Sequence, residues 1–199
     1  MLLPVSMQSS TSHTRPVRRK VLLLGVFLLG GAAVGASFYA WSRALPKRFA
    51  VVEEGVLYRS SQPSIMQLRN MKDTLDLRTV LIVRAGDSSR VPDEIEEARR
   101  MGLNVVHIEI DGRREITDEE VRQFFDCVDD PLNQPVLIHC SAGRHRTGYL
   151  CALYRIERQG WPAEKALEEM RSFGGFDEDP PHVIEQQLRS YGSRSLATR

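Results

Sequence analysis

The sequence predicts an α/β fold, a mixed and mainly parallel sheet flanked by helices, preceded by one N-terminal transmembrane helix. Three observations carry that prediction. Short runs such as Thr79–Val83 (TVLIV) and Val136–His139 (VLIH) are apolar without alternation, as strands buried on both faces of a sheet are. Capped segments with a helical apolar repeat separate them, so strands and helices alternate along the chain. Ahead of both, Val21 to Ala40 (VLLLGVFLLGGAAVGASFYA) is a 20-residue stretch without a charge.

Residues 1–20 form a basic segment, with Arg15, Arg18, Arg19 and Lys20 beside the apolar run. Residues 21–41 form a transmembrane helix or uncleaved signal anchor. At about 1.5 Å per residue the run reaches roughly 30 Å, the thickness of a bilayer's hydrocarbon core. Trp41, Arg43, Lys47 and Arg48 follow it, the aromatic and basic residues that an interfacial end requires. A single-pass membrane location follows; the side on which the remaining domain lies stays open, because basic residues flank both ends. Three other readings of the segment stand beside this one: a cleaved signal peptide, a twin-arginine export signal (Arg18-Arg19-Lys20-Val21-Leu22) and a mitochondrial transit sequence.

The domain proper spans residues 49–192, with strands at Val51–Tyr58, Thr79–Val83, Val105–Ile110 and Val136–His139. Pro92 opens a helix over Asp93–Met101, and Gly102 stands where a C-terminal cap belongs. Thr117-Asp118-Glu119-Glu120 is a capping box for a helix whose Val121, Phe124, Phe125 and Val128 share one face. Arg146–Gln159 is helical up to Gly160, and Pro162 restarts a helix that runs to about Phe173. A last helix spans Pro181 to Tyr191-Gly192, leaving residues 193–199 as a flexible tail.

Charge narrows the function classes. The 199 residues hold 27 Lys+Arg and 26 Asp+Glu, yet the first acidic residue is Glu53. The first 52 residues carry seven basic groups, leaving 20 basic against 26 acidic residues in 53–199. An acidic domain excludes a broad nucleic-acid-binding face. Cys127, Cys140 and Cys151 are too few and too scattered for a disulfide framework.

One segment carries chemistry: His139-Cys140-Ser141-Ala142-Gly143-Arg144-His145-Arg146-Thr147-Gly148, between the last strand and the next helix. A tight loop entering a helix N-terminus presents unpaired backbone N–H groups as a nest for an anion. Arg146 has the fork that grips two phosphate oxygens. The helix dipole and the guanidinium lower the pKa of Cys140, placing a thiolate for in-line attack on phosphorus. Gly143 permits the turn.

With every fixed position of HCxxGxxRTG matched, the sequence resembles the cysteine-dependent protein tyrosine phosphatase superfamily. The resemblance covers about residues 50–192 and is to its compact dual-specificity and atypical dual-specificity members. It implies that Cys140 is the nucleophile that becomes a phosphocysteine and that Arg146 binds the phosphoryl group. The amides of Ser141, Ala142, Gly143, Arg144, His145 and Arg146 complete the cradle. Thr147 helps expel the thiolate, and His139 orients the loop. An upstream Asp protonates the leaving oxygen; Asp111, before Gly112, is the first choice, with Asp87 and Asp118 as rivals.

The resemblance implies no metal and no cofactor. Leu57-Tyr58-Arg59-Ser60-Ser61-Gln62-Pro63 looks like the opening of bacterial, plant and fungal members. His145 echoes the atypical group, some of which cleave inositol pyrophosphates. The expected partner is therefore a phosphoprotein bearing phosphotyrosine, with phosphoserine or phosphothreonine besides, or a phosphorylated inositol. A rhodanese-like sulfurtransferase and a phosphate-binding pseudophosphatase are the competing classes. Cys140, Arg146, Thr147 and Asp111 together argue against both. Oligomeric state is not legible.

Overall fold

The computed structural model describes residues 45–85, 90–174 and 182–197, together with residues 30, 31, 34, 37 and 40, which are helical. The rest of the predicted membrane segment lies outside the described residues. Among the described residues no helix is long and apolar enough to cross a membrane. The chain divides into two units, Met1–Arg43 and Ala44–Arg199.

The second unit is built on five strands: β1 (Ala50–Glu53), β2 (Leu57–Ser61), β3 (Thr79–Val83), β4 (Asn104–Ile108) and β5 (Val136–Cys140). Their order is β1-β2-β5-β3-β4. Only β1 and β2 pair antiparallel; the other three pairings are parallel. The predicted strand Val51–Tyr58 is thus a hairpin. Gly55, at φ 71°, takes the left-handed conformation that turns the chain between its arms.

Among the described residues of this unit six helices alternate with the strands or follow the last: α1 (Ile65–Leu75), α2 (Arg90–Arg100), α3 (Asp118–Val128), α4 (His145–Glu157), α5 (Ala163–Ser172) and α6 (Val183–Ala197). The box at Thr117 forms as expected, with Thr117 accepting from the Glu120 N–H and the Glu120 carboxylate accepting from the Thr117 N–H. Helix α1 is absent from the sequence reading, and α6 continues to Ala197, through the segment expected to be a flexible tail. No proline interrupts residues 192–197, and one glycine costs a helix only about 1 kcal/mol.

Side-chain alternation splits the sheet between two cores. On one face Leu81, Val83, Ile138 and Cys140 pack with Phe124 of α3, Leu150 of α4, Leu167 of α5 and Ile184 of α6. On the other, Val80, Ile82 and Leu137 pack with Leu68 and Met71 of α1 and Val91 and Ala98 of α2. Consecutive residues of β5 therefore serve opposite layers, Cys140 the four-helix side and His139 the side of α2.

Candidate active site

Strand β5 is central, and where it ends the chain turns through residues 141–144 into α4. The turn is fixed by its carbonyls. That of Ser141 accepts from the Gln62 N–H (3.2 Å), that of Ala142 from Arg48 Nη1 (3.2 Å), that of Gly143 from Arg59 Nη2 (2.8 Å) and that of Arg144 from the Gly148 N–H (2.7 Å). In a trans peptide the C=O and the following N–H point oppositely. Tethering four carbonyls to the surrounding body therefore turns the N–H groups of Ala142, Gly143, Arg144 and His145 toward the concave side. The Gly143 N–H accordingly donates to Cys140 Sγ at 3.2 Å. The loop needs glycine at 143, where φ is 68° and an added Cβ would sit 2.5 Å from the Ser60 carbonyl oxygen.

Cys140 is 2% exposed. Burial alone pushes its thiol up, but the Thr147 hydroxyl, the Arg146 charge and the N–H groups of Thr147 and Gly143 outweigh it. The thiol lies below its ordinary value. Thr147 is fully buried, and its hydroxyl is the largest of the influences that lower the Cys140 thiol. Cys127 and Cys151, by contrast, are pushed up to about 12 and about 11, chiefly by burial. Both are free thiols in the core.

A cleft of about 280 Å³ opens beside Ser141 and Arg146, lined also by Arg84, Ala85, Asp111, Gly112 and Arg113. The structure thus brings Asp111 to the same cleft as Arg146. Of its rivals, Asp118 opens α3 in the first turn of that helix and is not among the cleft's lining. Asp87 lies outside the described residues. Arg146 Nη1 donates to the Ile110 carbonyl at 3.0 Å, immediately before Asp111, and Gly112 lets the guanidinium approach: a Cβ there would be 3.3 Å from Arg146 Nε. Asp111 accepts from the Arg113 N–H (3.0 Å), Nε (3.1 Å) and Nη2 (3.1 Å). Those bonds hold its carboxyl below the usual carboxylate value, which opposes proton donation in this arrangement.

His139 faces away from the cleft, fully buried, with Nε2 2.8 Å from Oε1 of Glu94, itself 2% exposed. Its Nδ1 lies 3.4 Å from the Cys140 carbonyl. The other Glu94 oxygen accepts from Gln62 Nε2 (2.8 Å), and Gln62 Oε1 accepts from Arg84 Nη1 (2.9 Å). A half-buried chain of contacts thus joins the strand end to the cleft wall. His145 stacks on His182 at the start of α6, centroids 3.8 Å apart. A second cavity of about 870 Å³ adjoins the cleft, sharing Arg84 and Ser141 and adding Lys47, Asp93 and Glu94 among its lining.

Arg48, Arg59, Gln62, Arg84 and Glu94 are the site-building residues that sequence reasoning missed. Arg48, placed by sequence alone in the flank of the apolar run, belongs to the second unit, where it also donates from Nε to the Phe173 carbonyl (2.6 Å). The domain therefore begins before residue 49. Glu94 did leave a signal: with Val91 and Ala98 it lies on the buried stripe of α2, where a charge is out of place.

Residues 44–188 match the tyrosine phosphatase family. An inositol diphosphatase, DSP1 of Oryza sativa subsp. japonica, is 34% identical over 137 residues, covering 64% of this chain and 57% of the rice protein. The dual specificity protein phosphatase TpbA of Pseudomonas aeruginosa is 32% identical over 164 residues, 79% of this chain and 72% of TpbA. The chain thus spans little more than half the length of the rice relative. Among solved structures, the core catalytic domain of the PP-IP phosphatase SIW14 from S. cerevisiae superposes with a TM-score of 0.63 at 26% identity. That match covers 73% of this chain and 85% of the yeast domain.

Proposed function

The chain belongs to the tyrosine phosphatase family, and from that premise we propose that it hydrolyses phosphotyrosine monoesters of proteins, with phosphoserine and phosphothreonine as further substrates. The observation that carries this reading is the buried Cys140 sulfur, its thiol lowered by Thr147 and Arg146, directly before Ser141, which lines one cleft with Arg146 and Asp111. The phosphoryl group sits on the inward N–H groups with Arg146 holding its oxygens. The Cys140 thiolate attacks phosphorus, the P–O bond to the leaving group breaks, and protonated Asp111 supplies the proton the leaving oxygen takes up. Water then attacks the phosphocysteine, Asp111 takes the water's proton, and the sulfur leaves as a thiolate stabilised by Thr147. Preorganised donors of this kind are worth about 3–4 kcal/mol each at a developing charge.

A second reading, an inositol phosphate or diphosphate as substrate, is supported by the guanidiniums of Arg84 and Arg113 lining the cleft beside that of Arg146, and by the inositol diphosphatases among the relatives. The apolar run at 21–41 supports one more part of the proposal, attachment to a membrane. Alkaline extraction of membranes from cells making the full chain tests it: release into the supernatant refutes attachment by a spanning helix.

The deciding experiment is p-nitrophenyl phosphate hydrolysis by the full chain, by Cys140→Ser and by Asp111→Asn, followed by phosphate release from phosphotyrosyl peptides and from inositol polyphosphates and diphosphates. Turnover lost in Cys140→Ser and a preference for the peptides support the first reading. A preference for the inositol substrates moves the assignment to the second. A reduced, folded chain inert toward all of them overturns the phosphatase reading in favour of a binding module.

A further inference from the structure

Arg59, in the middle of β2, is 1% exposed, the largest fully buried side chain of the described residues. Its three guanidinium nitrogens are all accounted for. Nη2 donates to the Gly143 carbonyl at 2.8 Å, and neither Nε nor Nη1 has a hydrogen-bond partner. No carboxylate therefore balances it among the described residues. The Phe173 ring covers it, 3.7 Å from the guanidinium carbon. Arg48 holds that ring's backbone through the Phe173 carbonyl and the loop through the Ala142 carbonyl. A ring face softens the loss of water around a cation but supplies no charge. A buried cation with one neutral acceptor is among the most costly arrangements a fold can contain.

The placement of the charge shows what offsets it. Arg59 pairs across the sheet with Ile138, so its side chain shares a face with Cys140, two residues on. The carbonyl it holds belongs to the Gly143–Arg144 peptide, whose N–H is one of the donors turned into the cradle. A cation on the oxygen of a peptide polarises that peptide and strengthens its N–H as a donor. A doubly charged oxyanion in the cradle is thus bound through the peptide to a countercharge already in position behind it.

We propose that Arg59 is a positioning residue, the buried countercharge of the phosphate cradle, which acts on the bound oxyanion through the Gly143–Arg144 peptide and which, in the anion-free fold, no carboxylate of the described residues balances. The inference rests on the reading of the loop as a phosphate cradle. It makes a paired demand that an ordinary packing residue does not: removing the charge weakens the anion and spares the empty protein.

The test compares the full chain with Arg59→Met, of similar reach and no charge, and Arg59→Lys, which keeps the charge. Melting temperature is measured with and without tungstate, a tetrahedral oxyanion, and tungstate dissociation constants come from the titration. In Arg59→Met the tungstate constant is expected to weaken about 10- to 100-fold, the value of a hydrogen bond involving a charged group, while the anion-free melting temperature stays level or rises. Arg59→Lys is expected to keep most of the affinity. An Arg59→Met protein that melts far below the parent, or fails to fold, yet an Arg59→Lys protein as weak toward tungstate as one without the charge, overturns the proposal. So does unchanged tungstate binding in a folded Arg59→Met. Parent chain that binds tungstate but turns over no phosphomonoester refutes the phosphatase reading alone, and the Arg59 comparison still decides the cradle.

Discussion

Gly143→Ala puts the architecture of the loop to its hardest test. The new Cβ would lie 2.5 Å from the Ser60 carbonyl oxygen and 2.6 Å from both the Ser60 carbonyl carbon and the Ser61 nitrogen. All three are backbone atoms of a strand bonded on both edges, so no side chain can swing aside. Contact distance is overrun by roughly 1 Å, and overpacking of that kind costs about 1–3 kcal/mol. The positive φ of 68° adds about 1–2 kcal/mol for a residue with a Cβ. Relief by moving the loop away from β2 displaces the Gly143 N–H from Cys140 and takes the Gly143 carbonyl off Arg59. A displacement of about 1 Å costs on the order of 10²-fold in rate. Urea unfolding of the variant and its kcat on p-nitrophenyl phosphate give the two readouts. The expected result is a lower midpoint, a kcat reduced at least about 10²-fold, or both. Parental midpoint together with parental kcat refutes the reasoning, since it would mean that the loop does not lie against β2 as described.

Four further outcomes follow from the same geometry. Iodoacetamide near neutral pH should label Cys140 alone, because burial holds Cys127 and Cys151 at about 12 and about 11; mass spectrometry of the peptides checks it. Thr147→Val removes an interaction that lowers the Cys140 thiol, so the alkylation-pH midpoint should rise, and an unmoved midpoint rejects the role given to the hydroxyl. Asp111 must be protonated to act as the acid, and Arg113 depresses its carboxyl. Activity carried by protonated Asp111 falls as pH rises through that lowered value, so Arg113→Gln should shift the alkaline limb of kcat upward, while Asp111→Asn should abolish the limb. Glu94→Ala leaves fully buried His139 facing an empty position and should destabilise the fold by about 1–3 kcal/mol in urea unfolding; Glu94→Gln, which retains a polar partner, should cost less.

What sequence could and could not supply divides along a physical line. The loop from Cys140 to Arg146 was legible because its chemistry depends on spacing along the chain, and the uninterrupted apolar character of β3 and β5 because burial on both faces is written locally. The box at Thr117 was legible for the same reason. Helix α1 was missed although Ser64 and Gln67 form a full capping box ahead of it. Ile65, Leu68, Met71 and Leu75 also fall at near-helical spacing, but only Leu68 and Met71 are buried and polar residues interrupt the stripe on both sides. The β1–β2 hairpin was read as a single strand because the turn, Glu54-Gly55-Val56, still carries an apolar residue. Nothing local marks Arg48, Gln62 or Arg59 as parts of the site. Their roles arise when β2 is laid against β5, a long-range pairing, and their donors meet carbonyls some 79 to 94 residues away.

In the proposed reaction the acid, Asp111, and the phosphate-binding arginine, Arg146, are linked through the backbone. Arg146 touches both halves of the chemistry: it lines the cleft and donates from Nη1 to the Ile110 carbonyl. That bond fixes the backbone one residue before Asp111, while Gly112 leaves no Cβ to hold the guanidinium off. Arg113, itself part of the cleft's lining, competes for the Asp111 carboxylate with a side chain 90% exposed, where solvent and salt weaken the pairing. The bonds that depress the acid are therefore easily exchanged, whereas the bond that positions its backbone is half-buried and shared with the arginine that receives the phosphoryl group. In the proposed reaction a substrate oxygen next to the Asp111 carboxyl would displace Arg113, whose bonds depress that carboxyl. Binding and acid delivery would then share one side chain, Arg146, and Gly112, though it carries no functional group, is constrained by the guanidinium that lies 3.3 Å from where its Cβ would stand.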